Sequence, residues 1–86
     1  MRAVIVTTEH RAVVFGYAEA TDGDVIDLKD ALWAIYWGTT KGLNQLAHTG
    51  PTATSKISAP ADLQMRRVTA VIEVSEEAEK VWREYL

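Results

Sequence analysis

The segment between Asp30 and Asp62 contains the side chains best suited to chemistry, and it carries no carboxylate. It contains aromatic rings, two lysines and seven Ser or Thr hydroxyl groups, while the whole chain has a formal net charge of −3. The residues concerned are Trp33, Tyr36, Trp37, Lys41, Lys56, Thr39, Thr40, Thr49, Thr52, Thr54, Ser55 and Ser58. A locally cationic and aromatic segment in an acidic chain suits a bound anion with a flat ring, and a nucleotide is the simplest such ligand.

The first half of this candidate site lies where a predicted strand gives way to a predicted helix, at Gly38-Thr39-Thr40-Lys41-Gly42. The N-terminus of a helix offers unpaired N–H groups and the positive end of a dipole. Tyr36 and Trp37 come immediately before it and point to opposite faces of a regular strand, so one of them is free to stack on a base. The glycine spacing is not that of a P-loop. The alternative is an ordinary helix start, capped by Thr40 and with Lys41 in solvent.

The second half runs from Thr49 to Lys56 and offers hydroxyl donors and one positive charge. A ligand could lie between the two halves, or between the same loop of two subunits. The alternative is a solvated surface loop, because loops are commonly rich in Ser and Thr. The predicted nucleotide-binding residues are Tyr36, Trp37, Gly38, Thr39, Thr40, Lys41, Thr49, Gly50, Pro51, Thr52, Ser55 and Lys56.

The residue types disfavour catalysis. His48 with Ser55 or Ser58 and Asp62 could be drawn as a triad, but nothing in the sequence fixes their geometry. Two histidines and no cysteine make a zinc site improbable. The acidic pairs are better explained by a hairpin turn at Asp22-Gly23-Asp24 and a helix start at Glu76-Glu77. We therefore expect a protein that is not an enzyme and holds no metal or cofactor.

Size and composition predict a single domain, residues 1–86, with a small core. Association between copies is a natural way to bury more surface, and Trp33 and Trp82 are expected to fill the core. The acidic balance disfavours duplex nucleic acid as a partner. No apolar run is long enough to span a bilayer, and the one at residues 1–8 is too short for a signal peptide. These features and the lack of cysteine predict a cytoplasmic protein without a membrane partner.

Hydrophobic patterning predicts five strands and two helices. Gly16 predicts a bulge, a bend or a close backbone approach in the second strand. A short helix starts at Thr39 or Thr40, runs to about His48 and stops at Gly50-Pro51, and Ser75 caps a C-terminal helix. Residues Thr52 to Asp62 are expected to form a loop. The predicted strands are Arg2 to Thr8, Ala12 to Tyr17, Val25 to Leu28, Ala31 to Trp37 and Arg67 to Val74.

The first half of the chain resembles the Sm-like fold. The pattern consists of Val4-Ile5-Val6, Val13-Val14-Phe15-Gly16, Asp22-Gly23-Asp24 and Val25 to Ala31, with Val68 to Val74 as a closing strand. The resemblance implies a mainly β (α+β) domain, a small Sm/SH3-like five-stranded bent-sheet barrel, with a short helix after strand 4 and a C-terminal helix. It also implies a homo-oligomer. The RNA-binding residues of that family have no counterparts here.

A second resemblance covers nearly the whole chain. Its phrases are Val6 to Arg11, Ala34 to Gly42, Thr49 to Thr52 and Ser55-Lys56-Ile57, and they are similar to a widespread group of short phage and prophage proteins. That group resembles the phage anti-CBASS sponge proteins, which are oligomeric and hold cyclic nucleotide signals. The resemblance implies a phage-encoded immune-evasion protein in the cytoplasm of a bacterial host. It would be a tetramer or larger and would bind a cyclic dinucleotide or a related nucleotide.

The sequence therefore predicts non-catalytic binding and sequestration of a cyclic or otherwise phosphorylated nucleotide. Two alternatives remain open at this stage. One is an Sm-like oligomer that binds single-stranded RNA, and the other is an adaptor that inhibits a host protein through its aromatic face.

Overall fold

The computed structural model describes residues 1–9, 11–36, 44–53 and 55–86, and only the backbone of Tyr36. It contains six strands and two helices. The strands are β1 (Arg2–Thr8), β2 (Val13–Ala18), β3 (Val25–Tyr36), β4 (Lys56–Ile57), β5 (Ala61–Arg66) and β6 (Val68–Glu73). The helices are α1 (Asn44–His48) and α2 (Glu76–Arg83). The prediction of a mainly β domain with two short helices is confirmed.

All the strand pairs are antiparallel, and the sheet has the order β4-β3-β2-β1-β6, with β5 also paired to β3. Only Arg67, with a φ of 57°, lies between β5 and β6. The path from β5 through β3, β2 and β1 to β6 therefore curls back on itself and encloses one core. β6 pairs with β1 and so provides the closing strand that the Sm-like resemblance implies.

Two cores lie on opposite sides of the sheet because β1 and β2 are apolar on both faces. The inner core fills the curled sheet with Val4, Val6, Val14, Ala18, Ile26, Leu28, Ala31 and Met65. The outer core lies between the sheet and the helices and contains Ile5, Val13, Phe15, Leu32, Leu46, Ala47, Ala78 and Trp82. The Trp82 ring stacks on Phe15 at 4.8 Å and donates through Nε1 to the carbonyl of Leu46 at 2.9 Å.

The third and fourth predicted strands are one continuous strand, so their separation at Lys29-Asp30 was wrong. β3 bends at Asp30, which has a φ of 50°. It pairs with β5 on both sides of the bend and with β4 near its end. Asp62 of β5 holds the bend, because its carboxylate accepts from the Asp30 N–H at 3.1 Å and from Lys29 Nζ at 3.3 Å. The polar residues Lys29-Asp30 therefore mark a bend within one strand and not a break between two strands.

The loop predicted from Thr52 to Asp62 was also wrong, because it contains β4 and the start of β5. These strands are short and lack clear alternation, so periodicity alone did not identify them. The last predicted strand, Arg67 to Val74, begins instead at Val68, since Arg67 has a left-handed backbone. Five predicted strands thus become six.

Helix signals were more informative. Ser75 caps α2 as predicted, and its Oγ accepts from the Ala78 N–H at 3.1 Å. The same hydroxyl donates to the carbonyl of His48 at 2.6 Å, so one side chain joins the end of α1 to the start of α2. α1 ends at His48 as predicted, while its predicted start at Thr39 or Thr40 lies outside the described residues.

Candidate functional site

Two of the predicted site residues, Tyr36 and Lys56, lie opposite each other on paired strands of the sheet. β4 pairs with the end of β3, which places Lys56 opposite Tyr36 and Ile57 opposite Ala34. Lys56 is exposed on this ladder. The predicted residues Trp37, Gly38, Thr39, Thr40 and Lys41 follow Tyr36 directly in the chain and lie outside the described residues.

Thr49, Gly50 and Pro51, which were predicted to contact a ligand, have packing roles in the structure. The N–H groups of Thr49 and Gly50 both donate to the carbonyl of Gln45 and end α1, while Gly50 and Pro51 are buried. Gly50 has a φ of 87°, and a Cβ placed on it would lie 2.8 Å from the Cβ of Val81. Glycine is therefore required here by the contact with α2 and by the backbone conformation.

Thr52 and Ser55 form a turn that leads into β4. The Thr52 N–H donates to Ser55 Oγ at 3.0 Å, and the Ser55 N–H donates to the carbonyl of Thr52 at the same distance. Both residues are half-buried. Their hydroxyl groups shape the turn that delivers Lys56 to the edge of the sheet.

One concave surface among the described residues is a groove that was not predicted from the sequence. It has a volume of about 500 Å³ and adjoins the Tyr36–Lys56 ladder, because Trp33, Ala34 and Ile35 of β3 form one wall. We call it the Trp33 groove. Its lining residues are Thr8, Arg11, Ala12, Val13, Trp33, Ala34, Ile35, Leu63, Gln64, Met65 and Arg66.

Trp33 is 39% exposed, so its predicted place in the core was wrong, whereas Trp82 is fully buried as predicted. The reason is strand length and alternation. β3 has twelve residues and β2 has six, so Trp33 pairs with Val14 near the end of the β2–β3 ladder and Ile35 lies beyond it. Leu32 and Ala34 face the outer core, which turns Trp33 and Ile35 to the other, uncovered face.

Ser58 fixes the backbone of Trp33 from the neighbouring segment. Its Oγ accepts from the Trp33 N–H at 2.9 Å, and its N–H donates to the carbonyl of Trp33 at 3.0 Å. The backbone N–H and carbonyl of Trp33 are both hydrogen-bonded to Ser58. The strand that carries the exposed indole is therefore fixed, which suits stacking on a ligand.

Arg11 and Arg66 provide the positive charge of the groove. Neither guanidinium forms an ion pair with a carboxylate of the described residues, and Arg66 Nε donates instead to Gln64 Oε1 at 3.1 Å. Arg11 has a φ of 63°, in the left-handed region that glycine favours. An arginine in this conformation costs roughly 1–2 kcal/mol, and such residues concentrate at binding sites.

Three other basic residues differ from these two in having acidic partners. Arg67 contacts Glu9 at 3.5 Å, Lys29 contacts Asp62 at 3.3 Å, and Arg2 contacts Glu73. None of the described residues that line the Trp33 groove carries a carboxylate. The groove therefore combines an exposed indole with two guanidinium groups that are available to an anion.

The perturbed ionisable groups lie away from the groove. Burial and a hydrogen bond to Glu79 raise the pKa of Tyr17 to about 12. The hydrogen bonds from Asp30 and Lys29 lower the pKa of Asp62 below its usual value. Among residues 1–9, 11–36, 44–53 and 55–86, no group of three or more His, Cys, Asp or Glu side chains is arranged to hold a metal. The groove's own side chains can stack, donate hydrogen bonds and attract an anion.

The groove was missed for a physical reason. Its side chains come from β1, β2, β3, β5 and the turn before β2, and β5 itself was not predicted. Trp33 and Ile35 are two residues apart, so they share one face of β3, which is twice as long as β2. This spacing was the signal available in the sequence.

The bent sheet and the helices on its outer side define a small, mainly β domain with a cationic, aromatic groove. The chain belongs to the family described as "Domain of unknown function (DUF6948)", whose match covers residues 1–82. Comparison with curated proteins and with solved structures gave no match. Within the part of the chain that the structure describes, no helix is long and apolar enough to cross a membrane.

Proposed function

We propose that this protein binds a phosphorylated nucleotide in the Trp33 groove without chemically changing it. The observation that carries the proposal is the position of an exposed indole beside two guanidinium groups without acidic partners, in a groove of about 500 Å³. A nucleotide has the matching parts, a flat base and an anionic phosphate.

Each half of the ligand finds a favourable contact. Stacking of a base on an aromatic side chain is worth about 1–3 kcal/mol and tolerates different bases. A guanidinium binds phosphate through paired, charge-assisted hydrogen bonds, and it remains charged at every physiological pH. Thr8, which is 8% exposed, also lines the groove.

The site continues toward the residues predicted from the sequence. Lys56 lies opposite Tyr36, one residue beyond Ile35 of the groove wall. We propose that Trp37 to Lys41 and Lys56 extend the anion-binding surface at this end. Alanine at Trp37 or Lys41 is then expected to weaken ligand binding and leave the assembly intact.

The biological role that we propose is sequestration of a cyclic nucleotide signal by a phage-encoded sponge acting as a homo-oligomer in the cytoplasm of the bacterial host. It is supported by the resemblance of the Ala34 to Gly42 and Thr49 to Ile57 phrases to the phage group. Sequestration requires stoichiometric binding with slow release, and a binding groove without a reaction is sufficient for it.

A thermal-shift panel tests the proposal. The full chain is heated with cyclic di-AMP, cyclic di-GMP, a cyclic triadenylate, cyclic AMP, ADP-ribose or a hexanucleotide RNA. A ligand at 100 times its Kd contributes about 2.7 kcal/mol, which moves the melting temperature of a domain this size by about 10 °C or more. We expect such a shift with at least one nucleotide and its loss in Trp33→Ala.

Tyr85→Ala is the matched control, because Tyr85 is 36% exposed and lies outside the groove, whereas Trp33 is 39% exposed. Equal ligand shifts in both alanine variants would place binding elsewhere and contradict the proposal. A shift with RNA alone would favour the Sm-like alternative. No shift with any of the ligands would favour the adaptor.

A further inference from the structure

We propose that Gln64 makes the Trp33 groove selective for adenine over guanine, because its side-chain amide is held in one orientation beside Arg66. This inference rests on the proposed function and adds the identity of the base, which stacking on Trp33 leaves open because every base has a face that can stack. The evidence is a chain of hydrogen bonds between side chains of β3 and β5.

The two neighbours of Gln64 determine which way its amide points. Gln64 Nε2 donates to Asp27 Oδ1 at 3.0 Å, and Gln64 Oε1 accepts from Arg66 Nε at 3.1 Å. A carboxylate only accepts and a guanidinium only donates, so a reversed amide would lose both hydrogen bonds. The sheet holds the three side chains together, because Asp27 lies opposite Gln64 and Arg66 follows on the same face of β5.

The fixed amide keeps hydrogen-bonding capacity for a ligand. Gln64 and Arg66 line the groove and Asp27 does not, so Asp27 holds the amide from outside the groove. A glutamine amide has two N–H groups and two lone pairs on its oxygen. Within the described part of the chain, Asp27 uses one N–H and Arg66 one lone pair. One donor and one acceptor remain, in an order that the chain of hydrogen bonds sets.

This donor and acceptor match one edge of adenine. In the proposed complex Trp33 covers the face of the base and Arg66 binds the phosphate, so Gln64 meets the edge of the base nearest the phosphate. In an extended purine nucleotide the five-membered ring, with N7, lies toward the 5′-phosphate. Adenine offers the N6 donor and the N7 acceptor on that edge, whereas guanine offers two acceptors, O6 and N7. Glutamine therefore pairs twice with adenine and once with guanine.

Calorimetric titration of the full chain tests this with nucleotides that differ only in the purine, AMP against GMP and cyclic di-AMP against cyclic di-GMP. The members of each pair carry the same charge, so the ratio of their affinities reports the base alone. We expect adenine to be preferred by about 5- to 150-fold, the discrimination of a paired contact to a base edge. The 7-deaza form of the adenine nucleotide, with a C–H in place of N7, should bind more weakly than its parent.

Three variants assign the preference to Gln64 and to its orientation. Gln64→Met removes the amide and should bring the two affinities within about twofold of each other, with no further loss for the 7-deaza form. Asp27→Ala frees the amide and should lower the ratio, although Asp27 does not line the groove. Asp24→Ala is its matched control, because it removes the same charge from an exposed aspartate outside this chain of hydrogen bonds and should keep the ratio of the wild type.

The outcomes separate this inference from the proposed function. Equal affinities in the wild type, or a preference for guanine, would overturn base selection and leave nucleotide binding in place. An adenine preference that survives Gln64→Met, or full affinity for the 7-deaza form, would overturn the role of Gln64. Equal ratios in Asp27→Ala and Asp24→Ala would overturn the fixed orientation. Absence of binding with every nucleotide would overturn the proposed function itself, and this inference with it.

Discussion

Three glycines provide a test of how the predicted site residue Gly50 contributes to the protein. Gly50→Ala is expected to destabilise the fold through two separate effects, because Gly50 has a φ of 87° and an added Cβ would lie 2.8 Å from Val81 Cβ. Gly23 has only the first property, with a φ of 78° and open space around it. Gly16 has only the second, with an added Cβ 2.9 Å from Leu28 Cβ.

The magnitudes follow from these geometries. Gly23→Ala is expected to cost about 1–2 kcal/mol, the cost of a side chain in the left-handed region. Gly16→Ala is expected to cost about 1–3 kcal/mol for overpacking. Gly50→Ala combines both and should cost about 2–5 kcal/mol, a large part of the roughly 4–13 kcal/mol expected for a domain this size.

Urea unfolding followed by far-UV circular dichroism gives the three free energies of unfolding under one set of conditions. We expect the cost of Gly50→Ala to exceed that of Gly23→Ala by about the overpacking energy of 1–3 kcal/mol. Equal costs for these two variants would refute the packing role of Gly50. The fold would then not need glycine for the α1–α2 contact, and a direct ligand role would be favoured.

Three further predictions concern the polar contacts. Asp62→Asn keeps an acceptor for the Asp30 N–H but loses the charge beside Lys29. Because folding lowers the pKa of Asp62, the wild type should exceed this variant in stability above the usual aspartate pKa of about 3.9. It should lose this advantage as the pH falls below that value in acid titrations of unfolding. Ser75→Ala should cost about 1–2 kcal/mol in urea unfolding, since one hydroxyl serves two helices. Tyr17→Phe should gain stability relative to the wild type as pH rises from 10.0 to about 12, because the folded state holds the Tyr17 proton more tightly.

Each of these predictions has a control and a contradicting result. A constant difference between Asp62→Asn and the wild type across the acid range would show that the carboxylate charge does not stabilise the bend at Asp30. Ser75→Thr keeps the hydroxyl group and should retain most of the stability that Ser75→Ala loses. Parallel alkaline unfolding curves for Tyr17→Phe and the wild type would contradict the tight retention of the Tyr17 proton.

The parts of the fold that the sequence predicted are those determined by local chemistry. Asp22-Gly23 marked a turn, Gly50-Pro51 marked the end of a helix, and Ser75 marked the start of another. Each signal depends on a few neighbouring residues. β1 is covered on both faces because its apolar residues occupy both parities, a pattern that can be read directly from the sequence.

The parts that were missed depend on pairing across the chain. β4 has only two residues and exists through its ladder with the end of β3. Trp33 was assigned to the core from its size. In the structure it lies near the end of the β2–β3 ladder and is 39% exposed. The Trp33 groove combines residues from several elements, so no single motif could indicate it.

A calorimetric titration of Arg11→Gly and Arg67→Gly tests the central claim most directly. Both arginines have left-handed backbones, with φ values of 63° and 57°, but only Arg11 lines the groove. Glycine relieves about 1–2 kcal/mol of strain and adds about 0.4–1 kcal/mol of unfolded-state entropy, so both variants should fold. The ligand is the nucleotide that gives the largest thermal shift with the wild type.

We expect Arg11→Gly to weaken binding by roughly 10- to 100-fold, the effect of losing a charge-assisted hydrogen bond of about 1.5–3 kcal/mol. Arg67→Gly should bind with the affinity of the wild type, since Arg67 contacts Glu9 outside the groove. Unchanged affinity in Arg11→Gly, or an equal loss in both variants, would contradict nucleotide binding in the Trp33 groove.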